Sequence, residues 1–134
     1  MVYINIDRKS DIHFDSESDL QKSLVKFLKR NEFLFTSTCS ELLDTDQLRV
    51  EYTKRGYTAG CPDIIIFNSN NEYCGIMIEL KSTTGFGDLS DKQKKFLERA
   101  ESVGKWLCIA SNDISELIEM LLKYQNNIPF ELIS

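Results

Sequence analysis

Two short apolar runs, each charged at one end, constrain this chain more than any other feature. They are "GCPDIIIF" at residues 60–67 and "CGIMIELK" at residues 74–81. Both are bounded by turn-forming residues, and Asn68-Ser69-Asn70-Asn71-Glu72 between them has the composition of a turn. An antiparallel hairpin follows. With Ser69 facing Tyr73 across a three-residue loop, Asp63 falls opposite Glu79. Ile65 then faces Met77 on the same side of the ribbon, and Ile64 faces Ile78 on the other. Opposed residues have Cβ atoms about 4.5–5.5 Å apart. Lys81 lies on the Glu79 side, roughly 6.5–7 Å further along the strand. Two carboxylates and an ammonium therefore converge at one end of a ribbon otherwise built from Ile, Met and Phe.

Two acids at that separation repel, and burial raises the cost. A divalent cation between them reverses the sign, and hard oxygen ligands suit Mg²⁺, which takes one or two carboxylates together with waters and substrate phosphate. Taken alone, the same residues also fit a turn aspartate after Pro62 and a Glu79–Lys81 surface pair on a strand edge. The apolar character of both strands favours convergence, because it sets their charged ends where core meets solvent. Pro62, just after Gly60, also fixes the approach to Asp63.

The rest of the chain frames the hairpin. Its 134 residues suffice for one domain with a core and are too few for two. Ser18-x-x-Gln21 reads as a capping box, followed by an amphipathic helix to about Asn31 carrying Leu20, Leu24, Phe27 and Leu28. Residues 33–38 read as a strand. Residues 41–60 read as a polar loop with a short strand near 49–53. A glycine-bearing loop spans 83–88. Ser90-x-x-Gln93 is a second capping box, opening a helix with Phe96, Leu97, Ala100 and Val103 inward and Gly104 as its stop. A buried strand is expected at 106–110, and a last helix with Ile114, Leu117, Ile118, Leu121 and Leu122 as its stripe. The fold class is α/β, a small mixed sheet flanked by helices.

Several classes are excluded. The apolar runs are too short for a membrane span, and the N-terminus lacks a secretory pattern, which places the chain in the cytosol or the nucleus of a eukaryotic host. Cys39, Cys61, Cys74 and Cys108 form no C-x-x-C pair, so a zinc ribbon is not expected and the thiols read as free and buried. With His13 the only histidine, catalysis by a histidine base beside a Ser or Cys nucleophile is disfavoured. A net charge of −5 opposes a wholly nucleic-acid-gripping surface but leaves room for a local basic face.

Pro62-Asp63, the hairpin and Glu79-Leu80-Lys81 together resemble the motif of the PD-(D/E)XK nuclease superfamily. Adding Glu17-x-x-x-Gln21, Gly60-Cys61-Pro62-Asp63, Ile78-Glu79-Leu80-Lys81 and Ser90-x-x-Gln93, the chain resembles the VRR-NUC branch from about Glu17 to Ser111. The resemblance implies a restriction-endonuclease-like core and Mg²⁺- or Mn²⁺-dependent hydrolysis of phosphodiester bonds. It assigns metal binding to Asp63 and Glu79, with the Leu80 carbonyl as a third ligand. The cation polarises a phosphate oxygen and lowers the pKa of a water. Lys81 orients or deprotonates that water and offsets charge on the phosphorane. Glu17 lies near the metal, or is a first-turn acid favoured by the helix dipole. Gln93 places Lys81 or the water, or caps its helix at Ser90; both roles are open, though one side chain is not expected to face both ways at once.

A phosphate-bearing polymer suits such a site. Lys92, Lys94, Lys95 and Arg99, with Lys105 after them, are partly cancelled by Asp91, Glu98 and Glu101 and read best as a solvated face. Arg49, Lys54 and Arg55 are the more local basic group and are expected to touch backbone phosphates. Stand-alone members of the branch resemble junction-resolving enzymes, and a two-fold homodimer supplies the two symmetric cuts that a four-way junction needs. The expectation is a homodimer acting on branched DNA, with the last helix and residues 128–133 as interface candidates. The alternatives are a flap- or nick-directed or restriction-like nuclease, a nucleic-acid-binding module that does not cut, and an α/β protein with a chance motif.

Overall fold

A computed structural model describes residues 3–7, 12–83 and 89–129. Its elements are β1 (Ile4–Ile6), α1 (Glu17–Arg30), β2 (Phe35–Ser37), α2 (Asp46–Lys54), β3 (Ile64–Ile66), β4 (Gly75–Leu80), α3 (Asp91–Val103), β5 (Trp106–Ser111) and α4 (Ile114–Gln125), with a 3-10 turn at Ser40–Leu42. The strands form one mixed sheet ordered β1-β5-β4-β3-β2. β1, β5 and β4 run parallel, and β3 and β2 continue antiparallel. The parallel step from β4 to β5 uses α3 as its crossover, as a parallel pair must. This is the small mixed α/β sheet read from the sequence.

Alternation along the strands divides the side chains between two helical layers. Ile4, Ile6, Ile64, Ile66, Ile76, Ile78, Leu107 and Ile109 share a cluster with Leu20, Leu24 and Leu28 of α1 and Leu117 and Leu121 of α4. Met77, Cys108 and Ala110 face the other way, onto Leu97 and Ala100 of α3. Asp63, Glu79 and Lys81 are in phase with Met77, so the chemistry of the hairpin rises from the α3 side.

The hairpin has the expected register, with Ile64, Ile65 and Ile66 opposite Ile78, Met77 and Ile76. Five other expectations are corrected. First, the α1 N-cap is Ser16, whose Oγ accepts from the Asp19 N–H at 3.1 Å, and not Ser18. Second, residues 46–54 are helical and contain no strand. Thr45 caps them, Asp46 and Glu51 pair with Arg49 and Arg55 at helical spacing, and Arg55 sits over the Tyr52 ring. The alternation in "LRVEY" mimicked a strand, but no residue of α2 is buried. Third, β1 was missing from the expected order. Fourth, Val103, the last residue of α3, is 79% exposed, whereas Leu97 and Ala100 of the same helix are buried. Fifth, only Cys108 of the four free thiols is buried. In α4 the stripe shifts towards Met120 and Tyr124, leaving Leu122 exposed. The 83–88 loop beyond Thr83 and the tail beyond Pro129 lie outside the described residues. Among those described, no helix is long and apolar enough to cross a membrane.

The contrast along α3 is measurable by urea denaturation. Leu97→Ala is expected to lower the unfolding free energy by about 2–5 kcal/mol, whereas Val103→Ala should leave it within about 0.5 kcal/mol.

Candidate active site

The site begins with how Pro62 and Asp63 are delivered. β2 and β3 continue their pairing one step past the ladder: the Thr38 N–H donates to the Asp63 carbonyl at 3.0 Å, and Thr38 Oγ1 donates to the Pro62 carbonyl at 2.7 Å. Gly60, at φ +88°, brings the preceding loop against the first turn of α3. A Cβ there would lie 2.4 Å from the Lys92 carbonyl oxygen. Glycine is required on both counts, conformation and approach. The "GCPD" segment is thereby clamped between β2 and α3.

Asp63 and Glu79 then meet across the end of the hairpin. The Leu80 N–H donates to Asp63 Oδ2 at 2.6 Å. Glu79 is 3% exposed; its Oε1 accepts from Gln93 Nε2 at 2.8 Å, while Oε2 is buried with no hydrogen-bond partner. Burial first, then the charge of Asp63 and that of Glu17, push the Glu79 carboxyl up to about 9. Burial also raises Asp63, against the opposing hydrogen bond from Leu80. Without a cation the pair therefore holds a proton near neutrality. An orphaned carboxylate oxygen beside a second acid fits a hard cation, which would supply the missing partner. Among the described residues no three His, Cys, Asp or Glu side chains converge as a ligand cluster, so an ion here would have to rest on two carboxylates, a backbone carbonyl such as that of Leu80, and water.

Gln93 does face both ways, correcting the expectation that one side chain cannot, but its partner in the site is Glu79 and not Lys81. The Gln93 Oε1 accepts from the Ser90 N–H at 2.8 Å, completing the capping box, while the Nε2 faces Glu79. The two ends of one amide serve the helix and the site. Glu17, the first residue of α1, lines the same cleft, and burial and then Asp63 raise its pKa.

Lys81 is 4% exposed, and its Nζ donates to Asn5 Oδ1 at 2.8 Å and to Asp7 Oδ1. Both acceptors belong to the β1 segment, which sequence reasoning missed. The signal was present in "INID", where Ile4 and Ile6 alternate with Asn5 and Asp7.

An open cleft of about 500 Å³ unites Glu17, Asp63, Glu79, Lys81 and Gln93, and Tyr57 and Lys92 also line it. The Tyr57 hydroxyl is held protonated mainly by burial and by Cys61. Arg49, Lys54 and Arg55 do not line the cleft. They lie exposed on α2, where Arg49 pairs with Asp46 at 2.8 Å and Arg55 with Glu51 at 3.1 Å. Such exposed pairs are worth little and leave the guanidinium groups able to exchange partners.

The family model of the VRR-NUC domain matches residues 6–105. A solved structure described as a VRR_NUC domain protein shares the fold, with a TM-score of 0.70 at 20% identity, covering 92% of this chain and 98% of that chain. No curated protein matches.

Two outcomes test the geometry. Gly60→Ala should lower the urea midpoint more than Gly56→Ala. Gly56 also has positive φ, at +106°, but a Cβ there meets nothing within 4 Å. Left-handed strain of about 1–2 kcal/mol is common to both, and the backbone clash belongs to Gly60 alone. For Glu79 the sign follows from a folded-state pKa of about 9 against 4.5 in the unfolded chain. The folded state keeps a proton that the unfolded chain releases, so stability falls as pH rises through that window. In EDTA, Glu79→Gln should flatten this decline and, near its alkaline end, exceed the wild type by about 1–3 kcal/mol, as followed by thermal melts across pH.

Proposed function

The chain belongs to the VRR-NUC domain family, and from that premise we propose that the cleft hydrolyses DNA phosphodiester bonds with Mg²⁺ or Mn²⁺. The carrying observation is the pairing of Asp63 with Glu79, whose Oε2 is buried without a partner. Asp63, Glu79 and the Leu80 carbonyl are the groups that would hold the cation. When bound, it supplies positive charge that polarises the phosphate and eases deprotonation of water.

The remaining side chains of the cleft act on water and phosphate. A water oxygen forms a bond to phosphorus while the opposite P–O ester bond breaks. The water proton passes to solvent, and the departing oxygen takes one up. The ammonium of Lys81 opposes the negative charge accumulating on the phosphoryl oxygens. Gln93 holds Glu79 in place, and Glu17 orders water at the rim. Arg49, Lys54 and Arg55 steer backbone phosphates, Arg49 and Arg55 giving up their exposed partners Asp46 and Glu51 to do so.

The substrate is branched DNA, of the four-way-junction kind met in replication and repair, and the active form is a homodimer. The support for this narrower reading is the resemblance of the motif set to junction-resolving enzymes and the two-fold symmetry of such a substrate.

Labelled four-way junctions, flaps, nicked and linear duplexes and single strands, incubated with Mg²⁺ or Mn²⁺, provide the test. The junction should be cut fastest, EDTA should abolish cutting, and Lys81→Ala or Asp63→Asn should lower the rate at least about 100-fold. Undiminished cutting by Lys81→Ala would move the chemistry elsewhere. Equal cutting of every structure would remove the junction assignment.

A further inference from the structure

The acceptors that hold Lys81 come from the far edge of the sheet. Asn5 and Asp7 are alternate residues of the β1 segment, as Glu79 and Lys81 are of β4. β5 lies between those strands, and it presents Ala110 level with both Asn5 and Glu79. Ala110 is fully buried on the same side of the sheet as Met77. Lys81 lies one step beyond the Leu80–Ser111 pair, and its side chain crosses β5 to reach Asn5 and Asp7. The Lys81 side chain is 3% exposed, while that of Asp7 is 48% exposed. The ammonium is thus sunk into the cleft wall, and its counter-charge stands at the rim.

We propose that Asp7, assisted by Asn5, is a positioning residue that holds the Lys81 ammonium in place beside the phosphate while water attacks it. An ammonium has three donors. Asn5 and Asp7 take two from the β1 side, which leaves one for a water or phosphoryl oxygen in the cleft. A flexible lysine loses up to about 2 kcal/mol of rotamer freedom when ordered, and two acceptors on a paired strand supply that ordering before substrate arrives. Asp7 touches neither the metal-binding carboxylates nor the reacting atoms. It acts through Lys81 alone, so the inference rests on the nuclease reading for its consequence and on the sheet for its geometry.

The test has two independent readouts. The first is the side-chain ammonium ¹H–¹⁵N spectrum of the metal-free protein, with the Lys81 signal identified by its loss in Lys81→Ala. A buried, doubly accepted ammonium exchanges slowly and should give a resolved signal, which Asp7→Ala should broaden or shift to the position of the solvent-exposed lysines. The second is turnover: Asp7→Ala should lower kcat about 10- to 100-fold with KM for DNA within twofold, and Asp7→Glu should recover most of the loss. An unchanged Lys81 signal in Asp7→Ala overturns the proposal whatever the activity. So does unchanged kcat in a variant of an active wild type. If the wild type cuts no nucleic acid, the nuclease reading fails, and the spectrum alone decides whether Asp7 orders Lys81.

Discussion

Asp63 and Glu79 are opposed because the hairpin register allows nothing else. Strand side chains alternate with period two, so slipping the register by one residue would turn Ile64, Ile66, Ile76 and Ile78 out of the core they share with α1 and α4. Burial of those isoleucines, each worth about 1.5–3 kcal/mol, dictates that two acids meet at the end of the ribbon. The apolar pattern holds an electrostatically unfavourable pair together, and the neighbouring elements determine how that pair is tolerated.

Tolerance is supplied unevenly. Asp63 has the Leu80 N–H, and its backbone is pinned by Thr38. Glu79 has a single amide donor from Gln93 and one oxygen with no partner. Burial and then the charge of Asp63 push the Glu79 carboxyl up to about 9, and the one hydrogen bond from Gln93 opposes that shift only in part. The Gln93 amide cannot relax toward a second acceptor without opening the α3 capping box, so helix formation and site geometry are mechanically joined. Gly60 serves the same end from the opposite side, letting the loop before Asp63 rest on that turn of α3.

How much of this the sequence disclosed follows from the range of each interaction. The hairpin register, both acids and the second capping box depend on residues near one another in the chain, and each was legible from spacing. α2 was misread because its apolar residues Leu48, Val50 and Tyr52 alternate like a strand, while the signals that decide for a helix are a threonine cap and two exposed ion pairs. β1 was overlooked because three residues at a sheet edge make a weak pattern, and their meaning comes from pairing with β5 about a hundred positions away. The partners of Lys81 could not be inferred from the Glu-x-Lys motif itself, which says where the ammonium starts but not what it crosses.

The charge layout explains how an acidic protein can act on a polyanion. Glu17, Glu41, Asp63 and Glu79 face the cleft alongside Lys81 and Lys92, and Asp7 occupies one acceptor position of Lys81. A bare phosphate entering this space meets more negative than positive charge. On the proposed function, Asp63 and Glu79 would hold a divalent cation in place of the proton, and its charge would offset that of the acids. Cation and nucleic acid would then favour each other's binding, a coupling that is reciprocal by necessity. On that reading the acids would disfavour phosphate in an unloaded cleft as well as hold the ion, and the net charge of −5 becomes compatible with a nucleic-acid substrate.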